Sequence, residues 1–230
     1  MTADLVVAEL FGPTFQGEGP SAGQQALFVR LSNCNLACVW CDTAYTWDWA
    51  RFDRAAEQRP MTVEDVRGWV LRHPTRLVVV TGGDPLLQQR RLTPLVQALA
   101  EAGRRVEVET NGTIAPQPGL TAAVAAFNVS PKLGNSGMGR DRRIRGQVLT
   151  SLVASGKAVF KFVVCDVADL DEIEALCAAF GLAPVWVMPE GDRSEAVLSR
   201  LRLLADEVVD RGWNLSARLH TLLWENARGR

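Results

Sequence analysis

Two rhythms of apolar residues alternate along this chain. Short runs such as "ALFVRLS", "RLVVVTGG", "RRVEVETNG", "AAFNVSPK", "AVFKFVVCD" and "APVWVMPEG" are dense in Val, Phe and Leu and stop at polar or turn-forming residues. That is the pattern of strands. Between them the spacing changes to that of a helix, with Leu92, Leu95, Val96 and Leu99 on one face and Leu170, Ile173, Cys177 and Phe180 on another. A further helix is predicted from about Ser194 to Arg211, and "NLSARLHTLLW" closes the chain. Strands alternating with helices predict parallel βαβ units. No internal repeat, low-complexity tract or long linker interrupts them, so residues 1–230 read as one domain. A closed eight-fold barrel takes roughly 250 residues. This chain is slightly shorter and also carries an N-terminal extension, so a partial barrel or an open α/β sheet is expected.

Strand alternation adds a polar interior. In "RRVEVETN", Glu107, Glu109 and Asn111 share one face, and Val106 and Val108 share the other. In "AVFKFVVC", Lys161, Val163 and Cys165 fall on one face. An apolar layer under helices and a polar lumen satisfy both patterns. In either architecture ligands gather at the carboxyl ends of the strands. There lie Cys34 after "VRLSN", then "TGGDP", "ETNG" and "SPK".

Composition narrows the classes. Hydrophobic residues are 47% and charged residues 22%, as in ordinary globular proteins. A net charge of −1 offers no strong field to nucleic acid or an anionic membrane, so neither is an expected partner. The basic run "RDRRIRG" is local and reads as a solvated loop or helix entry. "MTADLVVAELFG" has acids at Asp4 and Glu9 and no basic segment ahead of an apolar core, so no signal peptide is expected. No apolar run approaches the roughly 18 residues of a membrane helix. A cytoplasmic protein with reduced thiols is therefore expected. Of 25 basic residues only Lys132, Lys157 and Lys161 are lysines, each marking a place where a compact ammonium is wanted over a planar fork.

Five cysteines do not pair evenly, and three of them, Cys34, Cys38 and Cys41, lie within eight residues. This favours a metal or catalytic role over a disulfide framework. A four-iron cluster normally takes four thiolates. Three would leave one iron open, as catalytic metal sites do. Cys165 or Cys177 as a fourth ligand, and a zinc site, remain as alternatives on the residues alone.

The spacing Cys34-x3-Cys38-x2-Cys41, with Trp40 before the last cysteine, resembles the motif of the radical S-adenosylmethionine superfamily. The resemblance implies that S-adenosylmethionine fills the open iron. "TGGDP" (81–85) is similar to the superfamily's Gly-Gly-Glu-Pro element, with Asp84 one methylene shorter than the family's Glu. "FQGEGP" (15–20), Arg30 running into the cluster loop, Asp42-Thr43, "VSPK" (129–132) and "ARLHTLLWENARG" together resemble the 7-carboxy-7-deazaguanine synthase family, from Glu9 to Arg228. The fold so implied is a partial (β/α) barrel of the radical S-adenosylmethionine type. The implied reaction is a ring contraction of 6-carboxy-5,6,7,8-tetrahydropterin to 7-carboxy-7-deazaguanine in queuosine or other deazapurine biosynthesis. A 5′-deoxyadenosyl radical takes the C6 hydrogen, ammonia leaves, and Mg²⁺ assists.

The resemblance also distributes roles. Phe15, Gln16, Gly17, Arg30, Thr81 and Glu109 fall to the pterin, with Arg30 as the fork for its carboxylate. Trp40, Gly83, Asp84, Ser130, Pro131 and Lys132 fall to S-adenosylmethionine. Cys34, Cys38 and Cys41 hold the [4Fe-4S] cluster and Thr43 the Mg²⁺. Asp42-Thr43 can also be read as a helix N-cap. His220 and Glu225 are expected to close the pocket. A flavodoxin or ferredoxin as electron donor and a homodimer complete the implication. The competing readings are a glycyl-radical activating enzyme, which needs no pterin pocket, and an electron-transfer protein, which needs a fully ligated cluster.

Overall fold

The computed structural model describes residues 4–230; the first three, part of the segment read above as lacking a leader, lie outside it. The strands are β1 (Leu5–Phe15), β2 (Gln25–Leu31), β3 (Arg59–Met61), β4 (Leu77–Gly82), β5 (Arg105–Thr110), β6 (Ala126–Val129), β7 (Ala158–Val164), β8 (Val185–Pro189) and β9 (Asn214–Leu215). The helices are α1 (Arg54–Glu57), α2 (Val63–Leu71), α3 (Gln89–Glu101), α4 (Pro118–Ala123), α5 (Arg140–Arg143), α6 (Gly146–Ala154), α7 (Asp169–Phe180), α8 (Ser194–Asp210) and α9 (Leu219–Trp224). One sheet joins the strands in the order β3-β1-β2-β4-β5-β6-β7-β8-β9. From β2 to β9 every pairing is parallel, while β1 runs antiparallel to both β2 and β3. This is an α/β partial barrel, as expected.

The six runs quoted above are strands β2, β4, β5, β6, β7 and β8. The extension holds the difference: it is a full strand and the first half of a hairpin. Its alternation is visible only at Leu5 and Val7, and its pairing with β2 slips between Phe11 and Thr14, across Gly12-Pro13. Glycine and proline at a bulge blunt the period-2 signal that identifies a strand.

Local chemistry sets the helix ends. Thr62 and Asp65 form a reciprocal capping box that starts α2. Gly181, at φ +68°, stops α7 in the left-handed conformation glycine adopts freely. Helix α7 buries Leu170, Ile173 and Leu176, so the expected stripe is displaced by one residue: Cys177 and Phe180 pack at its rim. The helices cover a layer that includes Val78, Val80, Val106, Val108, Phe160 and Phe162, each removed from water. Burial of such side chains contributes about 1.5–3 kcal/mol apiece.

The other face of the sheet lines the lumen, and its two halves differ. Toward β1, β2 and β4 it is apolar, with Phe11 stacked on Phe28 at 4.7 Å over Ala26, Leu77 and Val79. Toward β5, β6 and β7 it is polar, carrying Glu107, Asn128 and Lys161, all buried. The β1–β2 connection spans the open side of the barrel. Gly19 N–H donates to Ser216 Oγ at 2.7 Å, Leu219 N–H to Gly17 O at 2.9 Å, and Ser21 Oγ to Glu107 Oε1 at 2.7 Å. The chain's beginning and end are thereby joined across the lumen. No helix among the described residues is long and apolar enough to cross a membrane.

The basic run forms α5 and is only partly solvated. Arg140, Asp141 and Arg142 are exposed, whereas Arg143 is buried and donates to the Lys132 and Met138 carbonyls and to Glu172. Lys157, one of the three lysines, donates to three carbonyls at the end of α4, those of Thr121, Ala122 and Val124.

Candidate active site

Beyond β2 the chain leaves the sheet into the loop that carries Cys34, Cys38 and Cys41, and all three thiols line one cavity at the carboxyl ends of the strands. The loop is seated on the end of β4. Asp84 N–H donates to Asn33 O at 2.8 Å and Gly83 N–H to Leu31 O at 3.1 Å. A Cβ on Gly83 would stand 2.1 Å from Asn33 O, so only glycine lets the two backbones approach this closely.

The sulfurs are met by donors. Trp47 Nε1 donates to Cys41 Sγ at 3.3 Å, Leu36 N–H to Cys34 Sγ at 3.5 Å, and Asn111 Nδ2 approaches Cys34 Sγ at 3.9 Å. Burial pushes the Cys34 thiol up to about 12 and raises Cys38 as well. Thiols so placed lose their protons to a metal rather than to water. Among the described residues no three His, Cys, Asp or Glu side chains converge on a single ion. A four-iron cube is bound differently, with separate irons each taking a thiolate, so thiols arranged around a space suit it. Neither Cys165 nor Cys177 lines the cavity; Cys177 packs against the core and the Cys165 amide is tied to Asp169.

Around this mouth the sequence-predicted residues divide. Trp40, Thr43, Gly83, Ser130 and Lys132 line the same cavity. Lys132 Nζ donates to Ser130 Oγ at 3.0 Å and stands 5.3 Å from the Trp40 ring centroid. Thr43 occupies the N-cap position of a 3-10 turn, Ala44–Thr46, yet its hydroxyl makes no capping bond and lies 3.7 Å from Cys41 Sγ. Asp84 and Pro131 are buried and are not among the lining residues. The Asp84 carboxylate accepts from Leu86 N–H (2.9 Å), Asn111 N–H (2.8 Å) and Thr110 Oγ1 (2.9 Å), fastening β4 to β5 beneath the cavity. Its shorter reach fits that structural position.

Deeper in the lumen, Glu109 accepts from Gln16 Nε2 at 3.1 Å and from Thr81 Oγ1 at 2.7 Å, so three residues expected to meet a pterin are already linked. Arg30 is held through Nε by Glu9 at 3.0 Å, and its guanidinium lies 5.3 Å from the Phe11 ring centroid. Its terminal nitrogens have no hydrogen-bonding partner among the described residues, which leaves the outer edge of the fork for a carboxylate. Phe15 is at the cavity rim, parallel to Trp224 with centroids 6.3 Å apart. Gly17 has no room for a side chain because a Cβ would meet His220 Nδ1 at 2.0 Å. His220 lines the cavity, and burial lowers it from 6.5, so its imidazole is neutral near pH 7. Glu225 does not line the cavity; it is exposed and caps the start of α8 through Ser194.

Sequence reasoning passed over the charged knot that closes the lumen. Glu18 bonds Lys161 and Arg218, and Arg218 also bonds Asp42 and the Gly191 carbonyl. Burial opposes the charge on Glu18, but the Lys161 ammonium and the Arg218 guanidinium outweigh it and hold the carboxyl well below its usual range. Lys161 and Asp42 were singled out one at a time, and Glu18 stood as an acid inside the glycine turn "FQGEG", but nothing in the sequence joined them to one another or to Arg218. Asn128 was also missed. It lines the cavity, its NH₂ faces Glu107 at 3.0 Å, and its Oδ1 has no partner among the described residues.

A three-cysteine loop on a partial parallel barrel, with an aromatic ring and a lysine beside the thiols, defines the class of radical S-adenosylmethionine enzymes. The Radical SAM superfamily model matches residues 29–126. A 7-carboxy-7-deazaguanine synthase of Pyrobaculum aerophilum is 40% identical over 233 residues, covering 100% of this chain and 99% of the relative. The synthase of the same name from Bacillus subtilis is 32% identical over 249 residues and covers both chains fully, 100% of each. The crystal structure of QueE from Escherichia coli superposes with a TM-score of 0.74 at 28% identity, over 94% of this chain and 95% of that one. The chain belongs to the 7-carboxy-7-deazaguanine synthase family, and it is a radical S-adenosylmethionine enzyme with a [4Fe-4S] cluster. Membership displaces the glycyl-radical activase and electron-transfer readings.

Proposed function

We propose that this chain performs the ring contraction of 6-carboxy-5,6,7,8-tetrahydropterin to 7-carboxy-7-deazaguanine, with release of ammonia, through the residues assembled in this cavity. The observation that carries the assignment of roles is the joining of the cysteine loop and the Gln16–Glu109–Thr81 triad in one lumen. Cys34, Cys38 and Cys41 hold the cluster, and Trp40, Gly83, Ser130 and Lys132 surround the S-adenosylmethionine. Bound together, the two supply hydrogen-atom abstraction at C6 of the pterin.

The remaining steps fall to the chain itself. Arg30 pairs with the substrate carboxylate, because Glu9 fixes its Nε edge and turns the other edge outward. Gln16 and Glu109 present an amide and a carboxylate to the pterin's lactam and amino edge. The neutral His220, against Gly17, covers the ring and keeps water from the reacting carbon. Thr43 would offer its hydroxyl oxygen to a Mg²⁺, which would supply positive charge to polarise the substrate. A flavodoxin or ferredoxin as electron donor and a homodimer belong to the same proposal and rest on the resemblance; a cytoplasmic setting and a single-domain chain belong to it too and rest on the sequence pattern.

The test is anaerobic incubation of the reconstituted protein with reductant, S-adenosylmethionine, Mg²⁺ and the carboxytetrahydropterin, followed by mass analysis. A product lighter by one ammonia is expected, and alanine at any of Cys34, Cys38 or Cys41 should abolish it, while Cys165→Ala and Cys177→Ser retain it. Recovery of unchanged pterin from the parent would sink the assignment.

A further inference from the structure

Trp40 stands on a loop with little regular structure, and a ring that meets a cofactor there needs an external hold. The hold comes from the segment after β6. Trp40 Nε1 donates to both the backbone carbonyl (3.1 Å) and the side-chain Oδ1 (3.2 Å) of Asn135. The Asn135 NH₂ group donates in turn to the Val163 carbonyl at 3.0 Å and to Asp169 Oδ2 at 2.7 Å. Both of those partners can only accept, so the amide has one workable orientation and its oxygen must face the indole. Asp169 is itself anchored, accepting the backbone N–H of Cys165 at 2.7 Å. The two loops meet along their backbones as well: Val39 N–H donates to Ser136 O at 3.1 Å, and a Cβ on Gly137 would stand 2.8 Å from Val39 Cγ1. The ring face is covered from the same segment by Lys132.

We infer that Asn135 is a positioning residue for S-adenosylmethionine: by bonding the Trp40 indole and the β7–α7 corner at once, it fixes the plane of the ring the cofactor meets. The inference rests on the reading that Trp40 faces S-adenosylmethionine. Every polar atom of the Asn135 side chain is committed, so the latch is rigid rather than incidental. It ties the cluster loop to an element that contributes none of the three cluster thiols.

The experiment uses the anaerobically reconstituted full chain and three variants, Asn135→Ala, Trp40→Phe and the double variant. Trp40→Phe keeps an aromatic ring, smaller than the indole, and removes the N–H donor. Iron content, S-adenosylmethionine affinity by equilibrium dialysis, the cluster's electron paramagnetic resonance change on adding S-adenosylmethionine, and pterin affinity are measured. Each single variant should keep about four irons per chain. Each should weaken S-adenosylmethionine binding about fivefold to tenfold, the scale of one net hydrogen bond, with pterin affinity unchanged. The double variant should be no weaker than the worse single, because both changes break one contact. Unchanged affinity in either single variant overturns the inference, and so do losses that multiply in the double. Loss of iron from Asn135→Ala with normal affinity in the loaded fraction assigns the residue to loop stability alone and also overturns it. Should Asn135→Ala fail to fold, Trp40→Phe decides. A parent that binds no S-adenosylmethionine overturns the underlying reading together with the inference.

Discussion

Two residues at the cavity mouth carry opposite lessons. Thr43 has the N-cap position without the cap bond, because its hydroxyl is turned to Cys41. Thr43→Val should therefore cost less than the about 1 kcal/mol of a lost cap. It should also remove most of the Mg²⁺ stimulation of turnover. Thermal unfolding and a Mg²⁺ titration of the rate check both halves, and equal Mg²⁺ dependence in parent and variant removes Thr43 from the ion. Arg30 is the reverse case, a residue whose task depends on a fork. Lysine there keeps the charge but loses the planar fork that bonds Glu9 through Nε and lies over the Phe11 ring. Arg30→Lys should weaken pterin binding by about tenfold to a hundredfold while S-adenosylmethionine binding stays. Pterin affinity equal to the parent's would show that the guanidinium is not in the site.

At the scale of elements, the site depends on where β4 and the β1–β2 hairpin end. Gly83→Ala forces a Cβ into Asn33 O and Cys34 N, so the cluster loop must lift from β4. Overpacking of this kind costs about 1–3 kcal/mol. Reduced cluster retention with the rest of the fold intact is the expected result, read as iron lost per hour on dilution. The hairpin's Glu18 has a pH signature. Its folded-state value lies below the unfolded 4.5, so its stabilisation is complete above pH 4.5 and fades as pH falls toward the lowered value. Glu18→Gln should destabilise the protein by about 3 kcal/mol at pH 7, since Lys161 and Arg218 lose a buried counter-charge. The gap between variant and parent should narrow below pH 4.5 in denaturant titrations; a gap independent of pH would mean that packing, not charge, sets the cost. The hairpin itself was only half legible. "FQGEG" marked a turn with chemistry, but the strand before it was hidden by Gly12-Pro13 and a register shift.

At the scale of the molecule, the sheet runs unbroken through nine strands among the described residues, and its ends are tied together by Glu18–Arg218 and by Arg228 with Glu9 and Glu57. One cooperative unfolding transition is expected, with circular dichroism and tryptophan fluorescence coinciding. Two resolved transitions would divide the chain into separate units.

Period-2 and period-3.6 patterning determined the parallel barrel, the polar lumen and the placement of the cysteine loop at the strand ends, because a buried strand or helix must show its apolar face in sequence whatever it packs against. Fixed spacing determined the three thiols for the same local reason: Cys34, Cys38 and Cys41 are neighbours along one loop. The partnerships of Glu18 with Lys161 and Arg218, of Asp84 with Thr110, and of Trp40 with Asn135 were decided only by the tertiary structure. These pairs are separated by 26 to 200 positions in the chain. Burial of a charge or a donor requires a partner, but nothing in local sequence says which of many distant candidates the closing of the barrel will bring to it.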